Sequence, residues 1–300
     1  MTVIYKCNLL IPGAPKSGTT ALHAALSAHP QICMSRPKEP WFFFGDRFKG
    51  GAARHNALFD HAGEGARVFG ESSQGYFADP QSMDRIAESL DAPKIILLLR
   101  HPVERALSQY RYDARRGIER APFEAALRER GDDPAHVWDA RIGFYRSVGG
   151  HLAFSRYARL VPAWRDRFGA GNVLVLRAED MASDGTALLA RCHAFLGLPQ
   201  VAPAAMGAAR NTTAETRRKV MPGPVRAAAR LMPGGLKSTP LYRRMRDGMR
   251  RAMTPPAPDR PGPDTLRRMT QLLAEDIAFH AALASAADRA PPGQPKAPPA

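Results

Sequence analysis

Residues 8–20 read NLLIPGAPKSGTT, and this stretch decides how the rest of the chain is interpreted. A short apolar run of strand length precedes a turn rich in Gly, Pro, Lys and hydroxyl side chains, and an alanine- and leucine-rich helix follows. The start of a helix leaves backbone N–H groups unpaired and carries partial positive charge, so this order of elements forms an anion cradle. Lys16 adds a full charge to the cradle. Three hydroxyl groups accompany it, on Ser17, Thr19 and Thr20.

The composition is that of a globular chain with one large domain or two small ones. Of its 300 residues, 44% are hydrophobic and 24% are charged, which is ordinary for a globular domain. No apolar run reaches the roughly 18 residues that a membrane-spanning helix needs. Met1–Leu10 carries Lys6 within a short apolar run and leads directly into the cradle. We therefore predict a first core strand there rather than a signal peptide.

Cysteine and histidine usage indicates neither a disulfide framework nor a metal site. The three cysteines are an odd number and lie far apart, at Cys7, Cys33 and Cys192. That pattern fits a reducing compartment, so we predict a cytoplasmic protein. The nine histidines form no His-x-x-Glu-His or similar ligand pattern, and we predict that no metal is bound.

The positive charge of the chain is concentrated in one segment. The net charge is +15, and between Arg210 and Arg260 there are 13 lysines and arginines but only 3 acidic residues. Within this segment, Leu241–Met253 is amphipathic, with methionines on one side and arginines elsewhere. Two interpretations stay open: a lid over the site, or a peripheral contact with an anionic membrane at its inner face. Nucleic acid is disfavoured as a partner, because basic and aromatic residues do not interleave there.

Strands that alternate with helices predict an α/β fold with a parallel sheet. Residues 94–99 are apolar on both faces, as central parallel strands are, and they end at Arg100, before a helix that begins at Pro102. We predict a single domain over residues 1–289, with a basic segment at 200–262, a terminal helix at 263–287 and a disordered proline-alanine tail at 290–300.

The cradle differs from the loop of ordinary nucleoside triphosphatases. Their motif is G-x-x-x-x-G-K-[ST], with the lysine directly after the second glycine. Gly13 and Gly18 have the right separation, but Thr19 follows and the lysine comes earlier, at Lys16. The two clearest buried strands end at arginine, so no strand-end Asp is found to hold magnesium. A magnesium-dependent nucleotide kinase is therefore disfavoured, although it stays open as an alternative.

The same residues resemble the sulfotransferases that use 3′-phosphoadenylyl sulfate (PAPS). Residues 15–20, PKSGTT, are similar to that family's 5′-phosphosulfate loop, P-K-[ST]-G-T-[ST]. A second family element is a strand that ends in Arg with a Ser eight residues later, and both grip the 3′-phosphate. Here Arg100 and Ser108 occupy those positions. The resemblance covers roughly residues 5–200 and implies a three-layer P-loop-like α/β fold, with a central parallel sheet flanked by helices. It implies PAPS binding by Lys16, Ser17, Gly18, Thr19, Thr20, Arg100 and Ser108, and no metal.

A further segment is similar to the heparan-sulfate-type branch of this family. Residues 36–43, RPKEPWFF, resemble its K-E-x-x-F-F segment, which implies that Glu39 is the catalytic base and that Lys16 stabilises the leaving 3′,5′-bisphosphate (PAP). Two alternatives stay open. Glu39 is a solvated turn residue paired with Lys38 or Arg36, or Glu71 is the base. A late basic loop completes the 3′-phosphate pocket in the family, and Arg217 and Arg218 are the candidates here.

The resemblance implies transfer of a sulfuryl group (EC 2.8.2.-) to a hydroxyl or amine of a carbohydrate, lipid or small metabolite. Several departures weaken the implication of a heparan-like acceptor: Ser72 replaces a lysine, Trp41 a histidine and Gln109 an adenine-stacking tryptophan of some relatives. A catalytically inert PAP-binding homologue is a further alternative. The presence of both Lys16 and Glu39 argues against it.

Overall fold

A computed structural model describes residues 4–49, 51–115, 119, 121–130, 135–139, 144–148, 150–201 and 261–287. Several sequence predictions fall outside the described residues. These are the roles of Arg217 and Arg218, the amphipathic piece Leu241–Met253, nearly all of the basic segment 200–262, and the tail 290–300.

The described strands are β1 (Leu9–Gly13), β2 (Ile32–Met34), β3 (Val68–Glu71), β4 (Lys94–Leu99), β5 (Ala135–Asp139), β6 (Phe144–Val148) and β7 (Val173–Arg177). Five of them form the central, all-parallel sheet in the order β2-β3-β1-β4-β7. A separate antiparallel hairpin pairs β5 with β6. Parallel strands all end at the same edge, so the loops that follow β1, β2, β3, β4 and β7 gather there.

Helices cover both faces of this sheet. Successive side chains of β1 point to opposite faces, so each face carries apolar side chains that the helices bury. Leu10 packs in one buried cluster with Trp164, whereas Leu9 and Ile11 pack in another with Leu22. The α/β class and the three-layer arrangement predicted from the sequence are confirmed. The described helices are α1 (Thr19–Leu26), α2 (Gly51–Asn56), α3 (Pro80–Ser89), α4 (Pro102–Arg115), α5 (Phe123–Arg130), α6 (Tyr157–Phe168), α7 (Ala178–Ser183), α8 (Gly185–Phe195), α9 (Pro263–Leu272) and α10 (Ala274–Ala287). None of them has the length and apolar character needed to cross a bilayer.

The terminal helix differs from its prediction, because it is two helices that meet at Leu273. No Pro or Gly interrupts it. Instead the guanidinium of Arg156 donates a hydrogen bond to the carbonyl of Leu272, which a continuous helix would use for its own ladder. The same junction caps α6, since Asp276 accepts a hydrogen bond from the backbone N–H of Ala158 at 3.0 Å. No side chain at the start of α6 itself supplies that cap.

An aromatic layer fixes the short turn that follows β3. The indole of Trp41 lies directly on the backbone of Gly75, where a Cβ atom would come within 1.8 Å of the ring. The Trp164 indole N–H donates a hydrogen bond of 3.0 Å to the carbonyl of Phe77. Gly75 is therefore required for packing, because no larger residue fits beneath the indole.

We expect Gly75→Ala to lower the free energy of unfolding by about 1–3 kcal/mol, the usual cost of overpacking a filled core. Gly63→Ala is the matched control, because nothing lies within 4 Å of the position that its new Cβ atom would take and its backbone needs no glycine. Urea unfolding of both variants measures the difference. Equal stabilities would show that Trp41 does not rest on Gly75.

Candidate active site

The loop between β1 and α1 has the backbone of an open cradle. Lys16 and Gly18 both adopt positive φ angles, 66° and 96°, and Gly18 supplies no side-chain cap to α1. The N–H of Ala14 donates a 2.8 Å hydrogen bond to the carbonyl of Leu98, so the loop is tied to β4. Ser17 and Thr19 are buried, whereas Thr20 is exposed. The helix start therefore keeps N–H groups that a bound anion could satisfy.

The second predicted element lies at the same sheet edge, because β4 is hydrogen-bonded directly to β1. Arg100 follows β4, and its side chain is 37% exposed and makes a loose 3.4 Å contact with Glu104. Ser108 lies two turns into α4 and is half-buried. The guanidinium is thus accessible to a ligand at this edge.

Lys16 connects the two elements in space. Its ammonium lies 4.0 Å from the ring centroid of Tyr112. Tyr112 and Ser108 are four residues apart on α4 and so lie on the same side of that helix. The cradle lysine therefore lies over the helix face that carries Ser108. Sequence reasoning missed Tyr112.

Tyr157 lies between the cradle and the Arg100 turn. Its hydroxyl donates a 2.8 Å hydrogen bond to the carbonyl of Arg100. Burial raises the pKa of Tyr157 well above its ordinary range, and the nearby charge of Arg105 and hydroxyl of Ser17 act in the opposite direction. The Ser17 hydroxyl is buried and close to Tyr157, although no hydrogen bond of standard geometry forms. The helical spacing of Tyr157 with Leu160 and Trp164 is that of buried core residues, so the sequence gives no signal of its polar role.

Arg105 is a fully buried cation near these groups. Its Nε donates a 2.6 Å hydrogen bond to the Ser155 hydroxyl, and a terminal nitrogen donates to the carbonyl of His151. The other terminal nitrogen is buried without a hydrogen-bond partner. Burial lowers the pKa of Arg105 to about 10, so the side chain stays charged at neutral pH. A buried charge with an open donor favours a bound anion nearby.

Glu39 lies in the loop after β2, with its backbone at a φ of 59°. Its carboxylate is 2.5 Å from the Lys38 ammonium, and its side chain is only 12% exposed. The ion pair that one alternative predicted is therefore present, but the side chain is not solvated. Burial, with the Lys38 charge as a second cause, lowers the pKa of His23 to about 4. Since His23 is on α1, the Lys38–Glu39 pair lies beside the helix that carries the cradle.

Glu71, the alternative base, is completely buried at the end of β3. One carboxylate oxygen accepts hydrogen bonds from Ser73 and Tyr76, at 2.9 and 2.5 Å. The other lies 2.7 Å from Nε2 of His55. No oxygen of this carboxylate is open to an acceptor molecule, so its geometry disfavours a role as base. Ser72, at the position of the family's lysine, is buried as well.

The turn after Arg100 is held from the neighbouring strand. The backbone N–H of His101 donates a 2.9 Å hydrogen bond to Glu179, which follows β7, and Nε2 of His280 lies 3.2 Å from the other oxygen. Partial burial acts to raise the pKa of Glu179, but His280 and the His101 N–H outweigh it and lower the pKa to about 2. The last described helix, α10, thus reaches the same sheet edge through His280.

Comparison with known proteins identifies the family. A family model described as "Sulfotransferase domain" matches residues 6–217, more than half of the chain. The chain belongs to the sulfotransferase family. Members of this family are sulfotransferases, and the family uses PAPS as its donor.

Individual relatives agree with this assignment. The chain is 37% identical over 107 residues to the membrane-associated sulfotransferase kil1 of Dictyostelium discoideum. This match covers 35% of this chain and 22% of that protein. It is 30% identical over 195 residues to human heparan sulfate glucosamine 3-O-sulfotransferase 6, covering 64% and 52%. The chain thus spans about half or less of these relatives' lengths. A crystal structure of a sulfotransferase from Alicyclobacillus acidocaldarius matches with a TM-score of 0.62 and 25% identity, over 94% of this chain and 99% of that one.

Most of the residues predicted for the sulfotransferase site therefore lie at one sheet edge. The cradle residues and Arg100 are on loops from adjacent strands, Ser108 is on α4, and Glu39 is on the loop after β2. Within the described ranges, no three His, Cys, Asp and Glu side chains gather as metal ligands do. A metal-independent reaction stays a prediction.

Asp113 adds a buried carboxyl group close to the cradle lysine. Nε2 of Gln109 donates a 2.9 Å hydrogen bond to it. Burial raises the pKa of Asp113 to about 6, although Gln109 and the charges of His151 and Lys16 act to lower it. The sulfotransferase thus holds a carboxyl that changes its charge near pH 6 in its folded state.

The folded chain should bind more protons than the unfolded chain between about pH 4 and pH 6, because folding raises this pKa from 3.8 to about 6. The free energy of unfolding should therefore fall as pH rises through that window. In Asp113→Asn this fall should shrink by on the order of 2 kcal/mol. Urea unfolding from pH 4 to 7 measures it, with exposed Asp60→Asn as control. Parallel curves for wild type and Asp113→Asn would contradict the assignment.

Proposed function

We propose that this sulfotransferase transfers the sulfuryl group of PAPS to a hydroxyl or amine of a carbohydrate, lipid or small-metabolite acceptor. Glu39 is the base that takes the acceptor proton, and Lys16 stabilises the leaving PAP. Arg100 and Ser108 hold the 3′-phosphate. The proposed location is the cytoplasm, with a peripheral membrane contact through residues 241–253 as a further expectation.

The observation that carries the proposal is a pair of anion-binding elements at one sheet edge. PAPS has two separate anionic groups, a 5′-phosphosulfate and a 3′-phosphate, whereas an ordinary nucleoside triphosphate lacks the second. The cradle around Lys16 suits the first group, and Arg100 with Ser108 suits the second. The contact of Lys16 with Tyr112, one turn beyond Ser108, supports a single ligand that reaches both.

The buried polar atoms fit an anionic donor. Arg105 is charged and buried, and one of its terminal nitrogens has no hydrogen-bond partner. The carbonyl of Arg100 accepts a hydrogen bond from Tyr157. An anion with several negative charges would offset the positive charge of the Arg105 and Arg100 guanidinium groups in a setting of low dielectric. A bidentate contact from Arg100 to a phosphate would also be charge-assisted.

The proposed chemistry needs only the residues described. Glu39 accepts the proton of the acceptor hydroxyl or amine as its oxygen or nitrogen bonds to sulfur. The bond from sulfur to the 5′-phosphate oxygen breaks, and Lys16 donates a hydrogen bond to that oxygen as its charge grows. The N–H groups of α1 and the hydroxyls of the cradle assist. Before the acceptor binds, the Glu39 carboxylate is paired with the Lys38 ammonium at 2.5 Å.

The acceptor is proposed only as a class. Curated relatives are named for the glucosamine of heparan sulfate and for N-sulfation of the same polymer, so a glycan is the first class to test. The replacement of relatives' polar residues by Trp41 and Ser72 favours an acceptor that differs from heparan sulfate.

Donor binding can be tested with PAP against ATP–Mg²⁺ in thermal-shift titrations. We expect PAP to raise the melting temperature, and Lys16→Ala and Arg100→Ala each to weaken PAP binding by about tenfold or more, since a charge-assisted hydrogen bond contributes about 1.5–3 kcal/mol. The exposed Lys49→Ala and Arg54→Ala are charge-matched controls. A preference of the wild type for ATP–Mg²⁺ would instead support a kinase and overturn the proposal.

The role of Glu39 can be tested by transfer of labelled sulfur from PAPS to a panel of glycans, lipids and small metabolites. Hydrolysis by water, which yields sulfate and PAP, is the readout where none of the panel reacts. We expect Glu39→Gln to bind PAP normally and to lose about 10²–10⁴-fold in rate. The exposed Glu64→Gln is the control. A near-normal rate in Glu39→Gln would move the base elsewhere, and a wild type that binds PAP but never turns over PAPS would be an inert homologue.

A further inference from the structure

We propose that Glu71 is a positioning residue that fixes the backbone next to Glu39 through two hydrogen-bonded relays. Ser73 forms one relay and Tyr76 the other. The inference rests on the proposed function, because it assigns Glu71 a task in the same reaction. It gives a role to a buried carboxylate that cannot reach the acceptor itself.

The first relay runs through Ser73. The backbone N–H of Trp41 donates a 3.0 Å hydrogen bond to the Ser73 hydroxyl, which donates in turn to Oε1 of Glu71 at 2.9 Å. All three residues are buried. The second residue after Glu39 is therefore attached to the end of β3, a strand that is paired on both sides in the sheet.

The second relay runs through Tyr76 to the same carboxylate oxygen. The backbone N–H of Phe43 donates a 3.1 Å hydrogen bond to the Tyr76 hydroxyl, which donates to Oε1 of Glu71 at 2.5 Å. Burial and the adjacent Glu71 charge raise the pKa of Tyr76 well above its ordinary value. The phenol therefore keeps its proton and remains a donor to the carboxylate.

The loop needs such support because its backbone is in an uncommon conformation. Glu39 and Trp41 both have positive φ angles, 59° and 55°, which are unfavourable for a residue with a side chain. Such angles persist only where surrounding contacts determine them. The indole of Trp41 packed on Gly75 adds a third fixed point. The two relays and this contact together define where Glu39 emerges from the loop.

His55 holds the Glu71 carboxylate in place. Its Nε2 lies 2.7 Å from Oε2, and both side chains are fully buried. The ring centroids of Phe42 and Phe43 lie 4.5 and 5.2 Å from the centroid of the His55 imidazole, so His55 has little freedom to move. The Cys7 thiol is also near Glu71, and burial and the Glu71 charge raise its pKa well above its ordinary value.

The consequence for the reaction is a loss of rate without a loss of donor binding. A base that shifts by about 1 Å relative to the reacting atoms can lose on the order of 10²-fold in rate. The hydrogen bonds of the two relays involve neither Lys16 nor Arg100 nor Ser108. Weakening the relays should therefore change kcat, whereas the affinity for PAP should stay the same.

The experiment compares Ser73→Ala, Tyr76→Phe and Glu71→Gln with wild type in the transfer reaction used for Glu39. We expect each variant to lose about 10- to 100-fold in kcat, with the KM for PAPS and the Kd for PAP within about twofold of wild type. Tyr110→Phe is the matched control, because it removes another tyrosine hydroxyl that donates a hydrogen bond, here to the carbonyl of Ala121 at 2.9 Å. We expect it to keep the wild-type kcat.

The outcomes separate this inference from the proposed function. Normal kcat in both Ser73→Ala and Tyr76→Phe, with a large loss in Glu39→Gln, would overturn the positioning role and leave Glu39 as base. Equal losses of kcat and PAP affinity in the relay variants would also overturn it, since they would indicate general disruption. A near-normal rate in Glu39→Gln would instead overturn the base assignment itself.

Discussion

The position of β1 between β3 and β4 is the constraint on which the site depends. Parallel pairing on both sides places the ends of three adjacent strands at one edge, so the loops that follow them must meet. The cradle with Lys16, the turn with Arg100 and the carboxylate of Glu71 each lie at the end of one of these strands. Groups that are far apart in the sequence thus converge because of the order of strands in the sheet.

Much of the fold and part of the site could be predicted from local sequence. Residues 94–99 form a strand with the predicted bounds, because an apolar run buried on both faces has few other solutions. The cradle could be predicted because its residues are contiguous. Local sequence could not predict the polar roles of Tyr157 and Arg105 or the surroundings of Glu71. Most of their polar partners are distant in the sequence, and their own spacing matches that of core residues. The β5–β6 hairpin was missed because its segment carries no clear alternation.

Burial distinguishes the two carboxylates at this edge for which we propose different tasks. Glu71 is fully enclosed and receives hydrogen bonds from three side chains, whereas Glu39 keeps some exposure and a single short ion pair with Lys38. A carboxylate whose oxygens are all engaged organises its neighbours, and one with a displaceable partner can react. Sequence alone offered both as bases, since the residue type is the same and only the surroundings differ.

The cap that Asp276 provides to α6 links the end of the described chain to the sheet edge that carries Arg100. Tyr157 starts the helix that this carboxylate caps, and Arg156 beside it binds the junction of α9 and α10. Local opening of the terminal helices would therefore release the start of α6 and with it the hydroxyl that holds Arg100. The amides of α10 and those around Tyr157 should exchange with solvent as one cooperative unit, so a nucleotide bound at Arg100 would also slow exchange in α10.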